Sequence, residues 1–488
     1  MAKSERTTPE PPVDPTEQIN RWRKLAYGVG DLYGGGAFSL INLFYLIFLT
    51  DVAHLPPAWA AVIMFAAKIW DALTDPLMGY LSDRTHSRLG RRRIYFLVGI
   101  VPVGLSFWLL WIWPHGWSSG ALFAYFLAVS LLFRSVFTMV MVPYSALIPE
   151  MTRDYRERAS LSGYRMFCST LSTLLVATLP SLVIAHFHSP ATGYAAMGAL
   201  FGIYFALPWI AVFFASFERP QWGNRQPLRF FEGYGVALQN RSFLLLIGLY
   251  ICGYLSVDVN SSVMLYFARY VMEIPAGLPS SLLLGAATIM QVVALPAYIH
   301  IARWRGKRTS FLLGGAIWLV LAPLLLLFHA GSSRLLLYLL AAGIGIGMAG
   351  VVYAPWAILP DVIEVDELVT GRRREGIFAG MMTFLRKISG ALAVSAIGWT
   401  LSAAHYVPNQ PQPPSALLSI RLLMGIVPVL LLALALFFAA KYPITPDRHA
   451  QLLEMMREKQ KVTPAGLALI QQMAGPSGVT AVVQRTGA

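Results

Sequence analysis

The sequence predicts an all-α polytopic membrane protein of twelve transmembrane helices, arranged as two pseudo-symmetric six-helix bundles. Three observations carry that prediction. The chain has 488 residues, of which 56% are hydrophobic and only 13% charged, whereas soluble domains carry about 25% charged residues. Its apolar residues gather into twelve long runs. Charged and proline motifs in the first six runs return six runs later.

The runs lie near 25–50, 57–82, 93–114, 120–148, 160–186, 194–217, 241–271, 278–302, 309–329, 334–360, 376–404 and 418–440. Each reaches the roughly 20 residues that a bilayer core requires. In lipid the backbone must satisfy its own hydrogen bonds, so each run is read as a helix. Residues 1–20 form a polar, Pro-rich cytoplasmic tail without the apolar core of a cleaved signal peptide. Residues 21–217 make the first bundle, 218–240 a cytoplasmic linker, 241–442 the second bundle and 443–488 a cytoplasmic tail.

Orientation follows from Lys and Arg. Arg21, Arg23 and Lys24 precede the first run, and loops after runs 2, 4, 6, 8 and 10 carry Arg91/Arg92/Arg93, Arg153/Arg156/Arg158, Arg219/Arg225/Arg229, Arg303/Arg305/Lys307/Arg308 and Arg372/Arg373/Arg374. The opposite loops, such as the one from Asp51 to Pro57, are short and nearly free of positive charge. The positive-inside rule then places both termini in the cytoplasm, and the expected location is a plasma membrane, the inner membrane of a bacterium. The net charge of +14 is dispersed among these loops and forms no continuous basic face, which argues against a nucleic-acid partner. Cys168 and Cys252 both lie in apolar runs, where they read as small core residues.

The internal repeat is local and specific. Arg91-Arg92-Arg93 after run 2 is matched by Arg305-Gly306-Lys307-Arg308 after run 8. Ile148-Pro149-Glu150 ends run 4, and Leu359-Pro360-Asp361 ends run 10. This is the parallel six-plus-six repeat of a major-facilitator-type bundle, with solute bound between the halves near mid-membrane.

Within run 2 stands Lys68-Ile69-Trp70-Asp71-Ala72-Leu73-Thr74-Asp75-Pro76. Each ionised carboxylate at bilayer depth costs about 2.5–3.5 kcal/mol on insertion scales. Asp71 and Asp75 are four residues apart and share a helix face, with Lys68, a candidate charge partner, near it. Two close carboxylates repel unless a positive ion sits between them, and a hard cation prefers oxygen ligands, to which the Thr74 hydroxyl adds. The pair therefore reads as a site for Na⁺ or a proton, the only ion or cofactor implied. Lys387 in run 11 belongs to the other half, where it could neutralise the empty acids and be displaced by the cation. Its neighbour Arg386 reads as a snorkelling side chain. Arg165 and Arg134 are candidates for pairing with an acid or touching solute. Asp31, Asp258 and Asn260 are polar positions expected to face protein and solute. Tyr27, Trp70, Tyr144, Tyr353 and Trp356 are candidate aromatics for stacking on a sugar ring, and Thr383 a candidate solute contact in run 11.

Three segments resemble the glycoside-pentoside-hexuronide:cation symporter family from about Lys24 to Tyr442: Lys68 to Pro76, Ser82-Asp83-Arg84-Thr85-His86-Ser87-Arg88-Leu89-Gly90-Arg91-Arg92, and the stretch from Pro360-Asp361-Val362 to Arg374-Glu375-Gly376-Ile377. The resemblance implies coupling of sodium or proton entry to solute uptake. It puts the cation carboxylates on Asp71 and Asp75, a nearby threonine on Thr138, the charge-partner lysine on Lys387 and a span 5 arginine on Arg165. The chain departs from the melibiose-type carriers at Thr74, where they hold asparagine, and at Gly35 and Met141, where they hold sugar-binding aspartates. A vertebrate branch that moves lysolipids has a similar pattern near the acids. The expected function is a monomeric cation-coupled symporter importing a sugar or glycoside. A lysolipid or other amphiphile carrier and a non-transporting sensor are the alternatives.

Overall fold

The computed structural model describes residues 18–152, 155–218, 240–275, 277–370 and 375–445, with isolated positions at 238, 448, 451 and 471–473. The Arg372–Arg374 cluster, most of the 218–240 linker and most of both tails lie outside the described residues.

Span 1 is broken. Helix α1 (Arg21–Gly28) ends at Val29-Gly30, α2 (Asp31–Leu40) follows, and two π-helical turns, Ile41–Tyr45 and Phe48–Val52, complete it. Spans 2 to 6 are α3 (Pro57–Arg84), α4 (Ile94–Leu109), α5 (Ser119–Met151), α6 (Tyr155–His186), and the proline-interrupted pair α7 (Pro190–Ala206) and α8 (Pro208–Ala215). Span 7 is α9 (Arg241–Tyr266) with the π-turn Phe267–Val271. Spans 8 to 12 are α10 (Leu278–Arg305), α11 (Lys307–Leu321) with the 3₁₀ turn Ala322–Leu327, α12 (Arg334–Thr370), α13 (Glu375–Ala403) and α14 (Pro414–Lys441). Among the described residues, nine helical segments are long and apolar enough to cross a bilayer. The other three spans are the broken first one, α3 with its five charged residues, and the 16-residue α4.

The halves meet along α3 against α13 and along α6 against α10. A shift of six spans converts the first pairing into the second, so one contact is built twice. The loop motifs also repeat in three dimensions. Gly90 and Gly306 both take positive φ, +107° and +94°, and each turns the chain into an Arg- or Lys-bearing segment. Arg92 then pairs with Glu150 at 3.0 Å, and Lys307 pairs with Asp361 at 2.5 Å. These basic clusters stitch each half internally at its Arg-rich end.

At the opposite end, the sequence reading of Asp51 as the start of a loop does not hold. Asp51 lies in the second π-turn with its side chain fully buried. It accepts hydrogen bonds from Tyr270 and Tyr406, from Thr50 at 2.8 Å and from Arg269 at 2.9 Å. A π-turn shifts the register of side chains around a helix, and both Asp51 and Arg269 sit in such turns, at the ends of spans 1 and 7.

Candidate functional site

The two acids of α3 face the other half of the molecule. Asp71 is 2% exposed, whereas a third of the Asp75 side chain remains accessible. Lys387, from α13, reaches across and sits on both: its Nζ is 2.8 Å from Asp71 Oδ2 and in contact with Asp75 Oδ2. Thr138 of α5 closes the site from the side. Its hydroxyl is 3.2 Å from Asp71 Oδ1 and 2.9 Å from Asp75 Oδ1. The Thr74 hydroxyl donates to the Trp70 carbonyl at 3.0 Å and lies 3.4 Å from Thr138 Oγ1.

The acids are not equivalent. Arg134, buried and stacked 4.4 Å over the Phe38 ring, stands 3.8 Å from Asp71 Oδ2. Asp71 therefore keeps a rigid cationic neighbour whether or not Lys387 is in place. Among the described residues the polar contacts of Asp75 are with Lys387 and Thr138, and it is the more accessible carboxylate.

Lys68 does not turn to Asp71. Its ammonium donates to the Gly390 carbonyl of α13 at 2.7 Å. Its long side chain spans the interface, a direction that sequence spacing along one helix does not reveal. Arg165 likewise stands apart from the acid pair: it holds Asp31 of α2, with Nη2 3.4 Å from Oδ1 and Nε closer to Oδ2, and its guanidinium lies 4.4 Å over Tyr144.

A cavity of about 590 Å³ opens between the halves, a size typical of small-molecule sites. Helix α6 gives it Ser169 and Thr173, and span 1 gives Ser39 and Asn42. Helix α9 contributes Tyr250, Tyr254, Asp258 and Asn260, opposite Gln291, Trp356 and Arg386. Arg386 is not a snorkelling residue: it grips Asp258 with two bonds of 2.5 and 2.7 Å. Its plane lies 4.8 Å from the Tyr254 ring. The Trp356 indole donates to the Tyr254 hydroxyl at 3.0 Å, which fixes an aromatic wall. Asn260 is 3% exposed, and its amide nitrogen meets no hydrogen-bond partner among the described residues.

Of the aromatics singled out in the sequence, Trp356 lines this cavity. Tyr27 and Tyr144 do not; each is fully buried and each donates its hydroxyl to the other's backbone carbonyl, at 2.5 and 2.8 Å. Burial of this kind satisfies a tyrosine completely and leaves nothing for solute. Trp70 donates to Ser135 at 2.8 Å and Thr383 to the Ala379 carbonyl at 2.9 Å. These two, together with Asp31 and Tyr353, lie outside the residues that line the cavity.

Residues 26–446 match the family described as MFS/sugar transport protein. The chain belongs to this family. It is a multi-pass membrane transporter of the major-facilitator fold and a member of a symporter group, not an enzyme. Symporter sll1374 of Synechocystis sp. is 30% identical across 91% of this chain and 98% of its own. The glucuronide carrier protein homolog of Escherichia coli is 28% identical across 90% of this chain and 96% of its own. The sodium-dependent lysophosphatidylcholine symporter 1 of Xenopus tropicalis is 25% identical across 92% and 94%. Among solved structures, an inward-facing, unoccupied bacterial homolog of the human lysosomal transporter Spinster superposes with a TM-score of 0.63 at 11% identity, covering 91% of this chain and all of that one. That likeness concerns the fold.

Proposed function

We propose that this protein imports a sugar or glycoside together with Na⁺ or H⁺ by alternating access. The observation that carries the reading is Lys387: an ammonium from one half neutralises two buried acids of the other. With the site empty, this ion pair ties the halves together and keeps α3 and α13 engaged. A cation that settles on Asp75, assisted by Asp71, Thr138 and Thr74, releases Lys387 and changes the charge across the interface. The solute occupies the central cavity, where Asp258, Asn260 and Arg386 offer polar contacts and Trp356 offers a flat face. Solute and cation bound together complete the charge balance that lets the bundles, residues 21–217 and 241–442, rock past one another.

The protein works as a monomer in a bacterial plasma membrane, with both termini and the Arg-rich loops in the cytoplasm. The polar groups that Asn42, Asp258, Asn260, Gln291 and Arg386 set into a largely apolar cavity wall favour a solute bearing hydroxyls. The relatives named lysophosphatidylcholine symporters favour an amphiphile instead, and the same experiment separates the two. Purified protein in liposomes is supplied with sugars, glycosides, uronates and lysophosphatidylcholine under separately imposed Na⁺ and H⁺ gradients. Uphill uptake of a sugar or glycoside is expected with one ion, and the Asp75→Asn protein should insert normally but fail to accumulate it. Undiminished gradient-driven uptake by that variant would overturn the scheme.

A further inference from the structure

The cation site and the solute cavity meet at one backbone position, Gly390. A methyl group placed there would stand 3.0 Å from Lys68 Nζ, 2.9 Å from Asp258 Oδ2 and 2.7 Å from Arg386 Nη1. Three charged atoms thus crowd around a point that only a glycine leaves open. Lys68 grows from α3, one turn before Asp71. Asp258 and Arg386 line the solute cavity. Lys68 donates to the Gly390 carbonyl at 2.7 Å, its one hydrogen bond among the described residues. No carboxylate lies within ion-pairing distance of it there. Its charge is free to respond to acids on either side.

We propose that Lys68 is a positioning residue that reports the charge state of Asp71 and Asp75 to the Asp258–Arg386 pair in the solute cavity. The proposal rests on the cation-coupled reading above. In the empty site the charges of Asp71 and Asp75 are balanced by Lys387 and Arg134, and Lys68 stands between that cluster and the Asp258–Arg386 pair. When a cation settles on the acids and displaces Lys387, one more positive charge faces Lys68 from that side, and the attraction that remains is toward Asp258. Lys68 then competes with Arg386 for that carboxylate. Arg386 has five N–H donors in a rigid fork, and those released from Asp258 turn to the cavity it already lines. A solute bearing hydroxyl or carboxylate oxygens binds there more tightly once the ion is loaded. By linkage the solute tightens ion binding by the same factor.

The test measures dissociation constants of 4-nitrophenyl β-D-glucuronide, 4-nitrophenyl glycosides and lysophosphatidylcholine for the full chain in detergent, with and without Na⁺ and at two pH values. The ratio of affinities with and without ion is the readout, and couplings of this kind are typically about 5–150-fold. Lys68→Gln is expected to bring the ratio to about one while ion binding itself, followed by thermal shift in the absence of solute, persists. Lys68→Arg should restore most of the ratio, because it keeps the charge. Gly390→Ala, which forces the three charged groups apart without removing any of them, should lower the ratio as well. A Lys68→Gln protein that keeps the wild-type ratio, or one that loses ion binding outright, overturns the proposal. A wild-type protein whose affinity for every probe ignores both ions overturns the cation-coupled reading, and this proposal with it.

Discussion

Arg386 and Lys387 are neighbours in sequence, yet they serve different partners. Successive residues of a helix point about 100° apart, so Lys387 meets the acids of α3 while Arg386 turns to Asp258 of α9. Lys387 and Thr138 each make a testable contribution. Removing one member of a buried ion pair costs about 3–5 kcal/mol, and the partial exposure of Asp75 places Lys387→Met at the low end. That variant is expected to melt earlier than the parent in ion-free buffer and to recover much of the loss when the coupling ion is added, because the ion takes over neutralisation of the acids. Thermal unfolding with and without Na⁺, at two pH values, checks it. Thr138→Val removes a hydroxyl that reaches both acids. Hydrogen bonds to charged groups contribute about 1.5–3 kcal/mol, so ion affinity should fall by about 10- to 100-fold, read from the ion concentration that half-activates uptake.

The acids were legible in the sequence because a charge at bilayer depth has few excuses: Asp71 and Asp75 announce themselves against the apolar background of run 2. Their geometry with Thr138 and Lys387 is an arrangement of side chains from three helices, and residue spacing along a chain does not contain it. The errors share that cause. By its spacing on one helix Lys68 lies near the face of the acids, whereas its side chain crosses to α13. Tyr27 and Tyr144 looked like cavity aromatics, but they close on each other's backbone. Arg386 reads as a snorkelling side chain in the sequence because its acid, Asp258, lies 128 positions earlier.

At the scale of elements, the repeated glycines show what the internal duplication preserves. Gly306 combines φ +94° with ψ 153°, a backbone region essentially reserved for glycine, and Gly90 has φ +107°. Both precede the basic segments that pair with Glu150 and Asp361. An alanine at either site should cost about 1–3 kcal/mol and loosen the adjacent ion pair, visible as a lower melting temperature and faster hydrogen exchange at the start of α4 or α11. Helix existence was readable from run length alone. The π-turns that end spans 1 and 7 were not, because nothing in composition separates Phe48–Val52 from ordinary helix or loop. Asp51 was hidden for that reason.

Over the whole molecule, the halves are held together at two depths. Lys387 joins them at the acids, and the Asp51 cluster joins them at the end opposite the Arg-rich loops. In the second contact Arg269 also bonds Asn409 at 2.6 Å, and Thr50 meets Tyr266 at 2.8 Å. Asp51→Asn removes the charge at the centre of this knot. It should shift the population toward conformers open at that end. A cysteine introduced at Ser261, which lines the central cavity, in a chain whose Cys168 and Cys252 are replaced by serine, should then react faster with an impermeant maleimide added from that side. Unchanged labelling would mean that the knot does not control access.

The same knot also bears on how the carrier responds to heat. Three side chains of the second half, Arg269, Tyr270 and Tyr406, must release one carboxylate together before that end can part, and water replaces them only after separation has begun. Such a step has a steep Arrhenius slope. If it limits the cycle, turnover will climb sharply on warming and nearly stall in the cold, while solute affinity changes far less.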